Sequence, residues 1–271
     1  MELNVWRAGS GFPIVCLHGH PGSGKSMAVF TDHLSKRFRT IAPDLRGYGN
    51  SKTRQNFEMT DHLSDLEQLL DREEIDRCLI LGWSLGGILG LELAARHPER
   101  VSGLILIATA ARPWGDHPRT GWKEDVLTAI AAILNLIKPG WRWNIETFGK
   151  RSLFQYLIQQ HTPEAYQYIA TDAVYAYLKT SRAATRALSA ALRKGYKRVE
   201  NFENITCPAL MLIGERDRHI TATSSLETVK ALPNCDSKIY LETAHLLPWE
   251  RPSEILEDLD QWLDQHPEVQ R

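Results

Sequence analysis

Cysteine is scarce in this chain: Cys16, Cys78, Cys207 and Cys235 are the four in 271 residues. They stand far apart with no C-x-x-C pair, so neither a metal site nor a disulfide framework is signalled. The apolar neighbours of Cys16 and Cys78 suit buried thiols in a reducing cytoplasm. Long hydrophobic runs are also missing. The longest, residues 104–111 and 126–137, fall short of the ~20 residues that span a bilayer, and the second carries Thr128 and Asn135. The first thirteen residues include Glu2, Arg7 and two glycines and lack the apolar stretch of a secretory signal. A soluble, cytoplasmic protein with no membrane partner is expected. Nor is there an excess of either charge: 32 Lys+Arg face 33 Asp+Glu, net -1, which gives no global field to attract nucleic acid. No repeat or low-complexity tract is visible, which leaves solenoids unsupported. Composition is otherwise ordinary, 43% hydrophobic and 24% charged, and the length suits one large domain or one domain carrying an insertion.

Short apolar runs rich in β-branched residues occur at 14–17, 40–42, 79–81, 104–107, 209–213 and 238–241, with amphipathic stretches between them. Runs apolar on both faces and separated by helices predict a mostly parallel α/β sheet. Leu63, Leu66, Leu69 and Leu70 mark one flanking helix, and Ile255, Leu256, Leu259, Trp262 and Leu263 another. Residues 112–204 break this rhythm. They hold no strand-like run and read as helical throughout, which predicts a core of residues 1–111 and 205–271 with a helical insertion at 112–204. That insertion carries fourteen basic residues, Arg119, Arg193, Lys194, Lys197 and Arg198 among them, against eight acidic, so its +6 opposes -7 on the remainder.

The sharpest motif is Gly82-Trp83-Ser84-Leu85-Gly86-Gly87, a G-x-S-x-G between an expected strand and an expected helix. A strand turning abruptly into a helix strains the intervening residue, and the flanking glycines leave room for that turn. The turn lifts the Ser84 hydroxyl above the sheet, and the first amides of the helix face the point where negative charge develops during acyl transfer. An acid and a histidine follow in the order this geometry requires. Asp217 sits just past a strand in Leu212-Ile213-Gly214-Glu215-Arg216-Asp217, with Glu215 as a rival acid and a helix-capping role as its bland alternative. His245 lies in the loop after the 238–241 run, also at a strand's C-terminal end, where sites of open α/β sheets collect. The stretch Gly19-His20-Pro21-Gly22-Ser23-Gly24-Lys25-Ser26 also matches the phosphate-binding G-x-x-x-x-G-K-[ST], and Asp44-Leu45-Arg46-Gly47 a D-x-x-G. Nucleotide binding would use these two motifs alone and leave the serine, acid and histidine unexplained.

Together with Leu17-His18-Gly19-His20-Pro21-Gly22 and Pro43-Asp44-Leu45-Arg46-Gly47-Tyr48-Gly49-Asn50-Ser51, these motifs make the chain resemble the α/β-hydrolase fold superfamily, in its Ser-Asp-His branch with a helical cap. The resemblance spans nearly everything outside the insertion and departs at Ala244, where many relatives have glycine. It implies Ser84 as nucleophile, His245 as general base and then acid, Asp217 as its orienter, backbone N–H groups of His20 and Leu85 as oxyanion hole, Trp83 and His20 against the substrate, and no cofactor or metal. The implied reaction is cleavage of a carboxylic ester or related acyl bond in a small or carrier-linked substrate. The elbow and the basic cap also resemble the carboxylesterases that cleave pimeloyl-carrier methyl esters, so an acidic carrier protein is the expected partner of the cap. Lactonases, carbon–carbon bond hydrolases, aminopeptidases and cofactor-free haloperoxidases share the same three residues and stay open, as does a ligand receptor with little turnover. Dehalogenases and epoxide hydrolases, which need aspartate at the nucleophile position, are excluded by Ser84. Nothing in the sequence sets the oligomeric state.

Overall fold

The computed structural model describes residues 1–116, 121–196 and 202–270. Seven strands, β1 (Val5–Ala8), β2 (Pro13–Leu17), β3 (Arg39–Pro43), β4 (Cys78–Trp83), β5 (Val101–Ile107), β6 (Ala209–Gly214) and β7 (Cys235–Tyr240), form one sheet in the order β1-β3-β2-β4-β5-β6-β7. All pairings are parallel except β1 against β3. Each of the six apolar runs is a strand. The seventh, β1, was not anticipated, because three of its four residues are exposed and an edge strand needs no apolar run.

β4, β5 and β6 are buried along their whole length, and alternate residues feed two cores. Val15, Ile80, Leu104 and Met211 pack with α2 (Met59–Arg72) and α3 (Leu85–Arg96). Ile14, Leu79, Leu81, Ile105 and Leu212 pack with Phe30 and Leu34 of α1 (Ala28–Leu34) and with Ile255, Leu259 and Trp262 near the C-terminus. Each such side chain contributes roughly 1.5–3 kcal/mol by leaving water.

Between β5 and β6 the described chain is helical, with α4 (Trp122–Ile137), α5 (Arg142–Thr147), α6 (Phe154–Leu157), α7 (Pro163–Tyr168), a π-turn at Ile169–Ala173, α8 (Val174–Leu178) and α9 (Arg182–Arg193). Arg119, Lys197 and Arg198 of its basic set lie outside the described residues. Three α-helices follow β6 among the described residues: α10 (Ala222–Ala231), α11 (Leu247–Glu250) and α12 (Pro252–Gln265).

Close approach of α3 to β2 depends on glycine. A Cβ at Gly86 would sit 2.0 Å from the Leu17 carbonyl oxygen, and one at Gly82 would sit 2.5 Å from Gly86 and Gly87 backbone atoms. Gly86→Ala must therefore push the helix from the sheet, at a cost of about 1–3 kcal/mol. Calorimetry should show a melting temperature lower by several degrees, and an unchanged one would mean that the helix is free to shift.

Candidate active site

Ser84 joins β4 to α3 at φ 53 and ψ -115, a left-handed conformation that non-glycine residues adopt only under constraint. Its amide donates to the Ile107 carbonyl at 2.9 Å, and its carbonyl accepts from the Thr109 hydroxyl at 2.7 Å. The turn is thereby fastened to the end of β5. The loops after β6 and β7 bring the other two groups. His245 Nε2 lies 3.1 Å from Ser84 Oγ, and its Nδ1 lies 2.7 Å from Asp217 Oδ2. The second oxygen of Asp217 accepts the amides of His219 and Ile220 at 2.7 and 2.9 Å, so both of its oxygens are in use. With Nδ1–H donated to the carboxylate, Nε2 is left to accept the serine proton.

The helix-capping alternative for Asp217 does not hold, since Thr221 caps α10 through the Ser224 amide. Glu215 points elsewhere. It accepts from the Glu242 amide at 3.1 Å and pairs with Arg216 at the surface.

Ser84 opens into a cavity of about 840 Å³ whose wall includes His20, Leu85, Ile88, Trp114, Leu188 and His219. His20 and Leu85, the two residues expected to offer backbone N–H groups, thus share a wall with the serine. Trp83 does not line this cavity. Its buried indole packs against His245 and Trp249 with centroids 5.7 and 4.7 Å apart, and its Nε1 donates to the His245 carbonyl at 3.3 Å. Expected against the substrate, Trp83 instead braces the histidine loop, because the residue preceding Ser84 points to the opposite face of the strand.

Several contacts around the site, and the roles of His18, Tyr48 and Glu250 in them, were not read from the sequence. His18 is buried between the Gly19 carbonyl, 2.7 Å from Nδ1, and the Leu45 amide, which donates to Nε2 at 3.1 Å. Those partners define a neutral ring that holds the loop bearing His20, and burial pushes its pKa down to about 4. His20 Nδ1 meets the Tyr48 hydroxyl at 2.9 Å and is likewise held down at about 4 by burial. Glu250, five residues after His245, is buried and accepts three amides: Ala244 at 2.8 Å on one oxygen, and Gln159 and Gln160 at 2.8 and 2.6 Å on the other. Burial raises its pKa while the three N–H groups oppose that rise. The imidazole of His219, for which sequence offered no partner, stands 4.7 Å from that of His245. The remaining such histidines serve elsewhere, His161 beside Tyr166 and His266 beside Asp236.

The phosphate-loop residues are engaged within the chain. Gly24 donates its amide to Asp44 Oδ1 at 2.6 Å, and Lys25 faces Asp172 at 3.7 Å. Asp44 Oδ2 also accepts from the Asn50 amide and from Asn4 Nδ2. The D-x-x-G-x-G-x-S turn is thus a structural clasp whose carboxylate occupies the amide that a phosphate would require. Among the described residues no cluster of histidine, cysteine and carboxylate fits a metal ion, and no helix is long and apolar enough to cross a membrane.

The family model of the α/β hydrolase fold matches residues 13–252. The chain belongs to the α/β-hydrolase fold family. Among its relatives, a pimeloyl-[acyl-carrier protein] methyl ester esterase of Aeromonas hydrophila is 36% identical over 55% of this chain and 56% of its own. A 2-hydroxymuconate semialdehyde hydrolase of Pseudomonas sp. strain CF600 is 32% identical over 51% of this chain and 54% of its own. The chain spans about half the length of the curated relatives it matches first. The solved enol-lactonase of Burkholderia xenovorans superposes with a TM-score of 0.75 at 21% identity, over 97% of this chain and 96% of its own. For this hydrolase-fold chain that likeness extends to the architecture alone.

Burial gives the fold an acid liability. His62, packed against Tyr48 and Phe57, has no partner for Nδ1 among the described residues and is held down at about 4, chiefly by desolvation. Between pH 6.5 and 4 the unfolded chain binds a proton there that the folded chain refuses. The stability is present above 6.5 and drains away as pH falls toward 4. His62→Leu removes this demand, so it should lose less stability than wild type between pH 7 and 4.5, by on the order of 2–3 kcal/mol. Urea titrations at the two pH values measure this, and equal losses would refute it.

Proposed function

We propose that this chain is a serine hydrolase that cleaves a carboxylic ester, or a related acyl bond, through an acyl-enzyme on Ser84. The observation that carries this reading is the unbroken line Ser84 Oγ, His245 and Asp217, with contacts of 3.1 and 2.7 Å. A serine hydroxyl is a weak nucleophile at neutral pH until a neutral imidazole takes its proton. His245 Nε2 is within reach to do so, while Asp217 orients the ring and balances the imidazolium. The Ser84 oxygen then bonds to the acyl carbon, and the developing oxyanion meets the backbone N–H groups of His20 and Leu85. Collapse breaks the ester C–O bond, with His245 returning its proton to the leaving alcohol. Water, deprotonated by the same imidazole, releases the acid and restores the serine.

The relatives' names support an acyl substrate, and the first of them supports a carrier-linked one. The +6 charge of residues 112–204 supports an acidic carrier as partner, since a local field raises encounter rates with an oppositely charged protein. The buried, free thiols of Cys16 and Cys78 fit a reducing compartment such as the cytoplasm. The second reading, a lactonase or a carbon–carbon bond hydrolase on the same triad, draws on the enol-lactonase likeness and on the Pseudomonas relative.

Ser84→Ala should abolish turnover of short acyl esters and labelling by a fluorophosphonate. Asp217→Asn should lower kcat roughly 10³- to 10⁴-fold with little change in KM, because the ring loses its tautomer and not its place. A panel of esters, lactones and peptides assayed against both variants tests the reading and selects the substrate class. Residual ester turnover in pure Ser84→Ala protein would sink it, and a receptor would show binding without Ser84-dependent turnover. Steering by the basic segment makes kcat/KM toward an acyl-carrier substrate fall with ionic strength. Neutralising Arg193, Lys194, Lys197 and Arg198 together should flatten that salt dependence, and kcat/KM indifferent to salt in the wild type would exclude a charged carrier.

A further inference from the structure

The cavity at Ser84 is not uniformly apolar. Leu85 and Ile88 of α3, Leu188 and Leu192 of α9 and Ile220 supply an apolar wall. Among the described residues that line it, the only guanidinium and the only carboxylate are those of Arg112 and of Glu227 on α10, which pair at 2.6 Å.

Arg112 is held in place through its backbone. Residues 108–116 form neither helix nor strand, yet four hydrogen bonds fasten them to α10 and its cap. Ser225 Oγ donates to the Thr109 carbonyl at 2.8 Å, the Ala111 amide to Thr228 Oγ1 at 2.9 Å, Ser224 Oγ to the Arg112 carbonyl, and the Thr221 amide to the Trp114 carbonyl at 2.9 Å. Ser224, Ser225 and Thr228 are buried. Thr109 also donates to the Ser84 carbonyl, and the Arg112 backbone, three residues on, lies at most ~11 Å from it. A segment so fastened presents its arginine to the cavity at a set distance from the nucleophile.

The ion pair itself is loose. Its two side chains are 52% and 49% exposed, and a pair so open to water contributes ~0–1 kcal/mol. A carboxylate brought in by the substrate can displace Glu227 and meet the guanidinium in the two-bond fork that arginine offers. Asp44 is the contrast: buried and holding three N–H donors, it does not yield its place. The surrounding charge favours an anion over a cation. Arg193 and Lys194 are exposed directly before Gly195 and Tyr196 of the wall. Of the neighbouring acids, Glu92 already accepts the Tyr196 hydroxyl and Asp116 is paired with Arg218. That leaves Glu227 against Arg112, Arg193 and Lys194.

We infer that Arg112 determines specificity by taking a carboxylate carried on the substrate away from the scissile ester, with the apolar wall covering the chain between the two. The substrate class is then an ester whose acyl or alcohol half bears a free acid. The inference rests on the reading of Ser84 as nucleophile.

Two matched pairs of esters test it, each an acid against its neutral primary amide: para-nitrophenyl hydrogen adipate for the acyl side, and acetoxyhexanoate for the alcohol side. The wild type should prefer the acid in at least one pair, roughly ten- to hundredfold in kcat/KM and mainly through KM, and that pair identifies the half that enters the cavity. Arg112→Gln should remove the preference, and Arg112→Lys should retain part of it. Glu227→Gln, which releases the guanidinium, should raise it. Acid and amide cleaved equally in both pairs, with turnover lost in Ser84→Ala, overturn the inference and leave the hydrolase reading intact, whereas turnover that persists in Ser84→Ala overturns that reading. A preference that survives Arg112→Gln also overturns the inference. So does a preference for the para-nitrophenyl ester of aminohexanoate that Glu227→Gln abolishes, since Glu227 would then be the anchor, for a cation.

Discussion

A serine held at positive φ between a buried strand and a helix is the constraint around which the rest of this molecule is arranged. Such a backbone costs on the order of 1–3 kcal/mol and persists only where its surroundings over-determine it. Here they do so from several directions. Gly82, Gly86 and Gly87 vacate the space the turn sweeps through, Ile107 and Thr109 take up the Ser84 amide and carbonyl, and the fully buried β4 and β5 anchor both sides. The strain places a hydroxyl at the carboxyl edge of the sheet, where the loops after β2, β6 and β7 also arrive.

The histidine is placed by a different means. Its loop turns at Glu242, itself at φ 50, and is then tied down laterally. Trp83 reaches the His245 carbonyl, the Leu246 amide donates to the Leu157 carbonyl at 3.0 Å, and Trp249 stacks on Tyr168 with centroids 3.8 Å apart. Glu250 gathers the Ala244 amide and two amides from the segment after α6 on one buried carboxylate. A carboxylate accepting several N–H groups is among the stronger hydrogen-bonding arrangements available to a protein. Four of these six ties end between β5 and β6, so the position of His245 is set jointly by the sheet and by that helical segment. The insertion therefore does more than roof the cavity.

Serine, acid and histidine could be read directly because each obeys a local rule: an elbow needs its glycines, and site residues follow the C-terminal ends of apolar runs. The five interior strands were legible for the same reason, being largely buried on both faces, whereas β7, read from the apolar run at 238–241, is the other edge of the sheet and is mostly exposed. What escaped notice lacks such a rule. β1 pairs through its backbone at an exposed edge and needs no apolar pattern. Glu250 looks like any glutamate beside an arginine, and only the folded chain shows that it is buried among three amides. Trp83 was misplaced for want of knowing which face of β4 carries it. In α4 the period of the apolar residues was visible, but a hydrophobic stripe does not declare whether it faces its own core or the surface.

The loop at residues 19–26 shows why a motif acquires meaning only from what fills it. Glycines followed by lysine and serine free backbone amides and supply a cation, and an anion completes the arrangement. In a nucleotide-binding protein the anion is a phosphate. Here the anion is covalently part of the chain: Asp44 takes the Gly24 amide, and a Cβ on Gly49 would sit 2.4 Å from the Asp44 carboxyl group, so the carboxylate fits its turn closely. The clasp joins the loop after β2 to the turn after β3 and so helps to hold His20 in the wall it shares with the serine. The same local chemistry that cradles a ligand elsewhere is spent in this protein on holding the loop that bears His20 in place.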